Sequence, residues 1–380
     1  MNIESVAFGG AGVGRVEGMV VFVPFTVEGD LVEAEIVRIK RRYMEARPLA
    51  VLRSSPYRTD PLCKYYGLCG GCHYQHISYE YECRVKEKQV RDVFERIGKF
   101  DSPPVRAIVP SPDMYRYRQK AEFHAAEVGP EGIVMGFMGV DGRSLVDIDR
   151  CEILDESINA EYGRVRRDET LAGRLSARNV FWSGVPFGRE GKIDRSVGSV
   201  EMTVPVRGFF QANALLVERL AGYAAEACRD SSKGMLLDCC CGSGLFALFA
   251  GLEGRGIMGI DVDGEALECA RANMERYGLE DAAFYRGRLE DVLERLPGMT
   301  DHPVPVAILD PPRTGSTERA VESLAQLASE RIIYISCNPA TQARDARRLV
   351  DRGYDLVELQ PFDMFPRTRH VEVAAIFSRR

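Results

Sequence analysis

The sequence predicts an α/β protein whose C-terminal half is a doubly wound, mostly parallel sheet, preceded by two smaller strand-rich units. Three observations predict it. After Phe209, short apolar runs at 235–239, 257–261, 306–310 and 331–336 alternate with helical stretches such as 213–228, the pattern of repeated βα units with a site at the strands' carboxyl ends. Residues 1–55 show short strands at 6–8, 19–24 and 31–40 between glycine-rich turns, which suits a small β-barrel of the oligonucleotide-binding type. Between these lies a stretch with a cysteine-rich loop, a helix near 79–97 and strands near 119–126 and 133–139, an α+β unit of undetermined topology. The expected domains are therefore 1–55, 56–204 and 205–380.

Composition narrows the function classes. With 380 residues and 45% hydrophobic content, the chain has enough apolar mass for several cores and is no disordered segment. Glu4, Arg15 and Glu17 interrupt the region where a secretory signal needs an apolar run, and no stretch is long enough to span a bilayer, so a cytoplasmic protein is expected. Eleven cysteines in a reducing compartment point to metal binding or catalysis rather than disulfides. A net charge of -6 argues against indiscriminate nucleic-acid binding, yet Arg38, Lys40, Arg41, Arg42, Arg47, Arg53 and Arg58 stand close together against Glu45 alone. That strip reads either as a phosphate-binding surface or as a solvated charged loop. Gly10, Gly12 and Gly14 imitate part of a dinucleotide loop, but no strand precedes them and no helix follows.

Four motifs carry chemistry. Cys63, Cys69 and Cys72, with Gly70 and Gly71 between the last two and Cys151 far downstream, are thiols of the kind that bind Zn²⁺ or an iron-sulfur cluster; spacing leaves both open. In LLDCCCGSGLFAL an apolar strand ends at Asp238 and Gly242-Ser243-Gly244 opens a helix, the outline of a nucleoside-binding loop, with Asp261 placed at the next strand end for ribose hydroxyls. A nicotinamide enzyme fits that loop too. In AILDPPRTG the carboxylate of Asp310 precedes two rigid prolines, where adenine-N6 methyltransferases carry Asn to grip an exocyclic amine. In IIYISCNPA the thiol of Cys337 sits at a strand end between polar neighbours, an exposed place for a nucleophile, and DMFPRTRHVE brings Glu372 to the start of a last strand.

Taken together, CxxxxxCGGC, FFQAN, DCCCGSG, LDPPR, SCNP and DMFPRTRHVE resemble the uracil-C5 RNA methyltransferases, over nearly the whole chain. The resemblance implies a class I, Rossmann-like methyltransferase domain, an N-terminal TRAM barrel that binds RNA, and a central domain holding a [4Fe-4S] cluster on Cys63, Cys69, Cys72 and Cys151. It places S-adenosyl-L-methionine near Gln211, Asp261 and Asp310, with Cys240 and Leu245 beside it where relatives often carry an aromatic residue and Asn. Cys337 becomes the nucleophile and Glu372 the proton acceptor. The expected substrate is a uridine of tRNA or 23S rRNA, and the chain reads as a monomer with no obligate protein partner and no membrane association. Cytosine-C5 enzymes carry Pro-Cys where this chain has Pro311-Pro312. Two other classes remain to be weighed: an RNA-binding protein that has lost catalysis, which would not need to keep both Cys337 and Glu372, and a redox enzyme, for which no flavin or nicotinamide site is evident. The CxxxCxxC triad of radical enzymes is absent, because five residues separate Cys63 from Cys69.

Overall fold

The computed structural model describes residues 1–127, 133–298 and 304–380, which form two compact units. The first gathers Met1–Gln89, Asp113–Gly188 and Phe365–His370; the second gathers Val90–Pro112, Arg189–Met364 and Val371–Arg380.

In the first unit, β1 (Ile3–Val6), β2 (Gly12–Val16), β3 (Met19–Val23), β4 (Leu31–Ile39) and β5 (Tyr43–Arg53) form a sheet in the order β1-β2-β3-β5-β4. Asn2 pairs with Leu31, and the Ile3 N–H donates to Asp30 O at 2.8 Å, so β1 meets β4 and the sheet closes into a barrel. Ile3, Val21, Val23, Val32 and Ala46 fill its core. The first strand lies at Ile3–Val6 rather than 6–8, and β2 and β5 are strands that the sequence did not announce. β5 pairs antiparallel with β4 from Leu31↔Arg53 to Ile39↔Met44, so the basic strip is the outer part of a long hairpin.

Arg58 must be removed from that strip. Its guanidinium is paired with fully buried Asp30 at 2.5 Å and also donates to Phe25 O at 3.1 Å. Burial alone would raise the Asp30 carboxyl, but hydrogen bonds from Arg58, Val27 and Ser55 together hold it below its ordinary value. Arg58 is structural because its partner, 28 residues earlier, is a buried carboxylate that would be costly to leave uncompensated.

The rest of the first unit comprises the start of α1 (Tyr79–Arg96), then β6 (Lys120–Glu127), β7 (Ile133–Met138), β8 (Leu145–Asp147), α2 (Glu156–Arg167), α3 (Glu169–Ala172) and β9 (Arg178–Trp182). The four strands form an antiparallel sheet in the order β8-β7-β6-β9. Asp155 caps α2 by accepting from the Ser157 N–H, and α2 buries Ile158, Tyr162 and Val165 against Phe123, Met135 and Phe181 of the sheet.

After the end of α1, the second unit takes up the hairpin β10 (Lys192–Val197) and β11 (Val200–Pro205) and continues as α4 (Val217–Arg229), β12 (Met235–Cys239), α5 (Leu245–Gly251), β13 (Gly256–Asp261), α6 (Gly264–Arg276), β14 (Ala282–Arg286), α7 (Leu289–Arg295), β15 (Val306–Leu309), α8 (Glu318–Leu327), β16 (Arg331–Ser336), α9 (Pro339–Asp351), β17 (Tyr354–Phe362) and β18 (Glu372–Arg379). Its seven-stranded sheet runs β14-β13-β12-β15-β16-β18-β17. The pairs from β14 to β16 are parallel, whereas β18 is antiparallel to both neighbours. Strand order reverses between β12 and β15, which opens a crevice at their carboxyl ends. Helix α4 starts at Val217 rather than 213, because the Asn213 side chain accepts from the Leu215 N–H and donates to Ser111, holding that stretch in a turn. Among the described residues no helix is long and apolar enough to cross a membrane.

Candidate active site and cysteine cavity

At the end of β12 the backbone enters the left-handed region three times, at Cys240 (φ 62°), Gly242 (φ 53°) and Gly244 (φ 79°), the last being the N-cap of α5. The two glycines make the turn without strain, while Cys240 is an L-residue held there against its preference. Asp261, ending β13, pins this loop: its Oδ2 accepts from the Gly242 N–H at 2.8 Å and its Oδ1 from the Asp263 N–H at 2.9 Å. Asp238 is fully buried and accepts from the Ala247 N–H at 3.0 Å through Oδ2, while its Oδ1 is buried without a partner. Burial, opposed by the Ala247 bond and reinforced by Asp261, pushes its carboxyl up to about 7. Asp310 follows β15, with its N–H on Cys239 O at 3.1 Å. Burial, then the charges of Asp238 and Asp261, push it up to about 8. Three carboxylates thus share one small volume, and an orphaned buried oxygen points to a missing donor or cation.

Cys240 belongs to the same group, since burial and then Asp261 and Asp310 raise its thiol. Cys239 and Cys241 are buried and pack as small apolar residues. The Leu245 side chain is buried in packing of α5, and Gln211 is buried on the segment between β11 and α4. On that segment Phe209 is 71% exposed whereas Phe210 is buried.

Cys337 lies between the end of β16 and Asn338, the N-cap of α9, with Pro339 at the first helical position. The last pair of the β16–β18 ladder is Ser336↔Val373, so Cys337 and Glu372 stand one step beyond it, opposite each other. Burial pushes the Cys337 thiol up to about 11; Glu372 and Asp310 also raise it, and Arg313 opposes them by charge and by a hydrogen bond. Glu372 is 3% exposed, and burial, followed by Asp310, lifts its carboxyl well above the ordinary range against the pull of Arg313. The sequence reading did not single out Arg313. It lies in the turn after Pro311-Pro312, and its carbonyl accepts from Asn338 Nδ2 at 2.9 Å and Thr341 Oγ1 at 3.3 Å, which ties that turn to the start of α9. The signal available was its place in LDPPR, three residues after Asp310.

In the first unit, Cys63, Cys69, Cys72 and Cys151 line one cavity of about 780 Å³. Cys69 pairs with Gly139 and the Gly70 N–H donates to Met138 O at 2.9 Å; a Cβ at Gly70 would meet Gly139 O at 2.9 Å, so only glycine allows that approach. The Cys63 N–H donates to Gln75 Oε1 at 3.0 Å, and Asn159 Nδ2 and Oδ1 clamp the Cys151 peptide groups. Burial raises all four thiols, Cys151 to about 12, and at Cys72 the other three thiols add to it. Among the described residues no three Cys, His, Asp or Glu side chains converge closely enough to hold a single metal ion.

Residues 200–380 match the family model described as tRNA (Uracil-5-)-methyltransferase, and residues 2–49 match the TRAM domain. An uncharacterised RNA methyltransferase of Caldanaerobacter subterraneus subsp. tengcongensis is 30% identical, over 100% of this chain and 97% of the relative. One of Halalkalibacterium halodurans is 29% identical, over 99% and 96%. The fold is that of the Pyrococcus abyssi tRNA (uracil-54, C5)-methyltransferase, solved with S-adenosyl-L-homocysteine, with a TM-score of 0.73 at 24% identity over 99% of each chain. The chain therefore belongs to the uracil-C5 RNA methyltransferases, as an S-adenosylmethionine-dependent transferase that carries an N-terminal TRAM domain.

Proposed function

We propose that this enzyme methylates C5 of a uridine in tRNA or 23S rRNA through a covalent adduct between Cys337 and C6 of the ring. The observation that carries the reading is the meeting of Cys337, Arg313, Asp310 and Glu372 at the ends of β15, β16 and β18. Uracil C5 is too weak a nucleophile to take an alkyl group unaided. Addition of the Cys337 thiolate to C6 pushes the C5–C6 electron pair toward O4 as an enolate, and C5 becomes nucleophilic. S-adenosylmethionine, which Gln211, Asp261 and Asp310 would hold with Cys240 and Leu245 beside it, would supply the methyl group to C5 as its S–CH3 bond breaks and S-adenosylhomocysteine leaves. Glu372 as carboxylate takes the C5 proton, the electrons restore the C5–C6 double bond, and the C6–S bond breaks to free Cys337. Arg313 favours the ionised form of both groups. The carboxylate cluster with its orphaned Asp238 oxygen suits a ligand that brings a sulfonium, an ammonium and hydroxyl donors.

Phe209 is the exposed aromatic on which a base extruded from its stack would lie. RNA docking falls to the β4–β5 hairpin, where Arg38 and Arg47 are engaged with Glu45 and Glu35 but Lys40, Arg41, Arg42 and Arg53 are exposed and make no ion pair among the described residues. For the cysteine cavity we propose a [4Fe-4S] cluster on Cys63, Cys69, Cys72 and Cys151 with a structural role. Four thiols raised by burial, with neighbouring thiols adding to it at Cys69, Cys72 and Cys151, suit a site whose positive charge stabilises them as thiolates. Anaerobically purified protein should then be brown, with about four iron atoms per chain; colourless protein with stoichiometric zinc overturns this.

Labelled S-adenosylmethionine and unmodified total RNA, with the labelled nucleotide mapped, test the substrate. Glu372→Gln should trap a methylated RNA–protein species on a denaturing gel that the added Cys337→Ala change abolishes. Normal turnover in Glu372→Gln, or an adduct that survives loss of Cys337, sinks the assignment.

A further inference from the structure

The turn at 313–316 is exposed at Arg313 and Thr314, yet it carries the guanidinium that faces Cys337. An arginine on a free turn spreads over many rotamers and is screened by water, so a lasting counter-charge needs fixed backbone beneath it. Here one face of α9 supplies it, since residues 338, 341, 345 and 348 recur at helical spacing. Arg313 O is held by Asn338 and Thr341. Arg344 donates to Thr314 O at 3.3 Å and to Ser316 O at 3.2 Å, and Asp345 Oδ2 accepts from the Ser316 N–H at 3.0 Å. Between them Gly315 turns the chain at φ 73°, and a Cβ there would meet Arg344 at 2.7 Å, Asp345 at 2.8 Å and Thr341 at 2.9 Å. Turn and helix touch with no room for a side chain between them.

Asp345 is fully buried, where a carboxylate is costly unless its oxygens are used. Besides Ser316 it accepts from Tyr334 Oη at 2.9 Å, from Arg344 at 2.8 Å and from Arg348 at 3.1 Å. Helix α9 packs into the apolar core of the unit through Ala343, Ala346 and Leu349. That packing requires no charge.

We propose that the Asp345–Arg344 pair is a clasp that holds the turn 313–316 on α9 and so keeps the Arg313 guanidinium beside Cys337. Both are positioning residues, acting through Arg313. Burial raises the Cys337 thiol, Glu372 and Asp310 add to it, and Arg313 is the charge that opposes them. A turn released from α9 leaves the thiol to burial and two carboxylates. The inference rests on the reading of Arg313 as the counter-charge of this thiol, and every group in it lies in the second unit.

Iodoacetamide alkylation of the full-length enzyme across a pH series, with mass spectrometry of the peptide that holds Cys337, reads this thiol alone. Asp345→Asn should move the profile up by about one pH unit and lower kcat/KM at neutral pH about tenfold, with Kd for S-adenosylmethionine within about twofold. In an Arg313→Gln background the same change should add no further displacement, because it acts through Arg313. An unmoved profile in Asp345→Asn overturns the proposal, as does a displacement of equal size with and without Arg313. If Asp345→Asn does not fold, Arg344→Gln, at a side chain 41% exposed, is judged by the same two readouts. Should Arg313→Gln itself leave the profile unmoved, the counter-charge reading falls and the clasp with it; should it move the profile while the Asp345 and Arg344 variants do not, the clasp alone falls.

Discussion

Burial raises the thiols of both cysteine sites, and the difference lies in what stands beside them. Around Cys337 a guanidinium opposes burial, so the thiol is pushed to about 11 with a counter-charge in reach. Around Cys72 the neighbours are three more thiols, which reinforce burial, and only the Gln75 side chain opposes it. On the proposed mechanism, one site holds a single thiol that gains and loses its proton, or its carbon partner, in every cycle. The other suits thiols that release their protons to solvent once and stay bound, as thiolates, to a positive group.

The largest expected effect removes the first of these thiols. Cys337→Ala should lower methyl transfer by at least ~10⁴-fold, since nothing else activates C5. Measured S-adenosylmethionine affinity should not change, and residual turnover near the native rate would place the nucleophile elsewhere. Cys72→Ser should instead cost iron and stability: iron content should fall sharply and Tm by several degrees, at about 2–4 °C for each kcal/mol lost. If folding and RNA binding hold while the chemical step alone is lost, the two cysteine sites do not differ in this way.

Arg313→Gln probes the counter-charge itself. Arg313 lowers the Cys337 pKa, and the proposed mechanism needs the thiolate, so its loss should move the rising limb of the kcat/KM profile to higher pH. Activity at neutral pH should drop about tenfold for each unit of displacement, and the alkylation rate of Cys337 by iodoacetamide should shift in parallel. An unmoved alkylation profile would remove Arg313 from the activation of the thiol. The smallest effect belongs to the hairpin. Replacing Lys40, Arg41 and Arg42 by Ala should weaken RNA binding roughly tenfold and reduce the slope of log K against log salt by about 0.7–0.9 per lost contact. Unchanged affinity across a salt series would dismiss the hairpin as the docking surface.

Legibility in the sequence followed burial. The strands β12 and β16 are almost wholly buried and read as mainly apolar runs, so their limits were expected to the residue, and β13 and β15 differ by one. β5 escaped notice because YMEARPLAVLR has Pro48 and charged residues inside it and is mostly exposed, a pattern that composition assigns to a loop. β2, with glycine at two of its five positions, resembled a turn. Within the site, the motifs named Cys337, Asp310 and Glu372, and the ladder and the shared electrostatics bring these three together. Charge counting failed at Arg58, whose meaning depends on Asp30 across the fold, and it passed over Arg313, whose meaning depends on a thiol 24 residues later. FFQAN did not distinguish Phe209 from Phe210; only burial does.

The antiparallel entry of β18 beside β16 has a consequence for heredity. Cys337 and Glu372, the proposed nucleophile and base, are consecutive with a single pairing, Ser336↔Val373, so their separation is written into strand register and not into any loop. A one-residue insertion within either strand would turn its side chains to the opposite face and separate the pair at a stroke. Descendants of this gene should therefore tolerate length changes between β17 and α9 while purging every frame-preserving insertion inside 331–336 or 372–379.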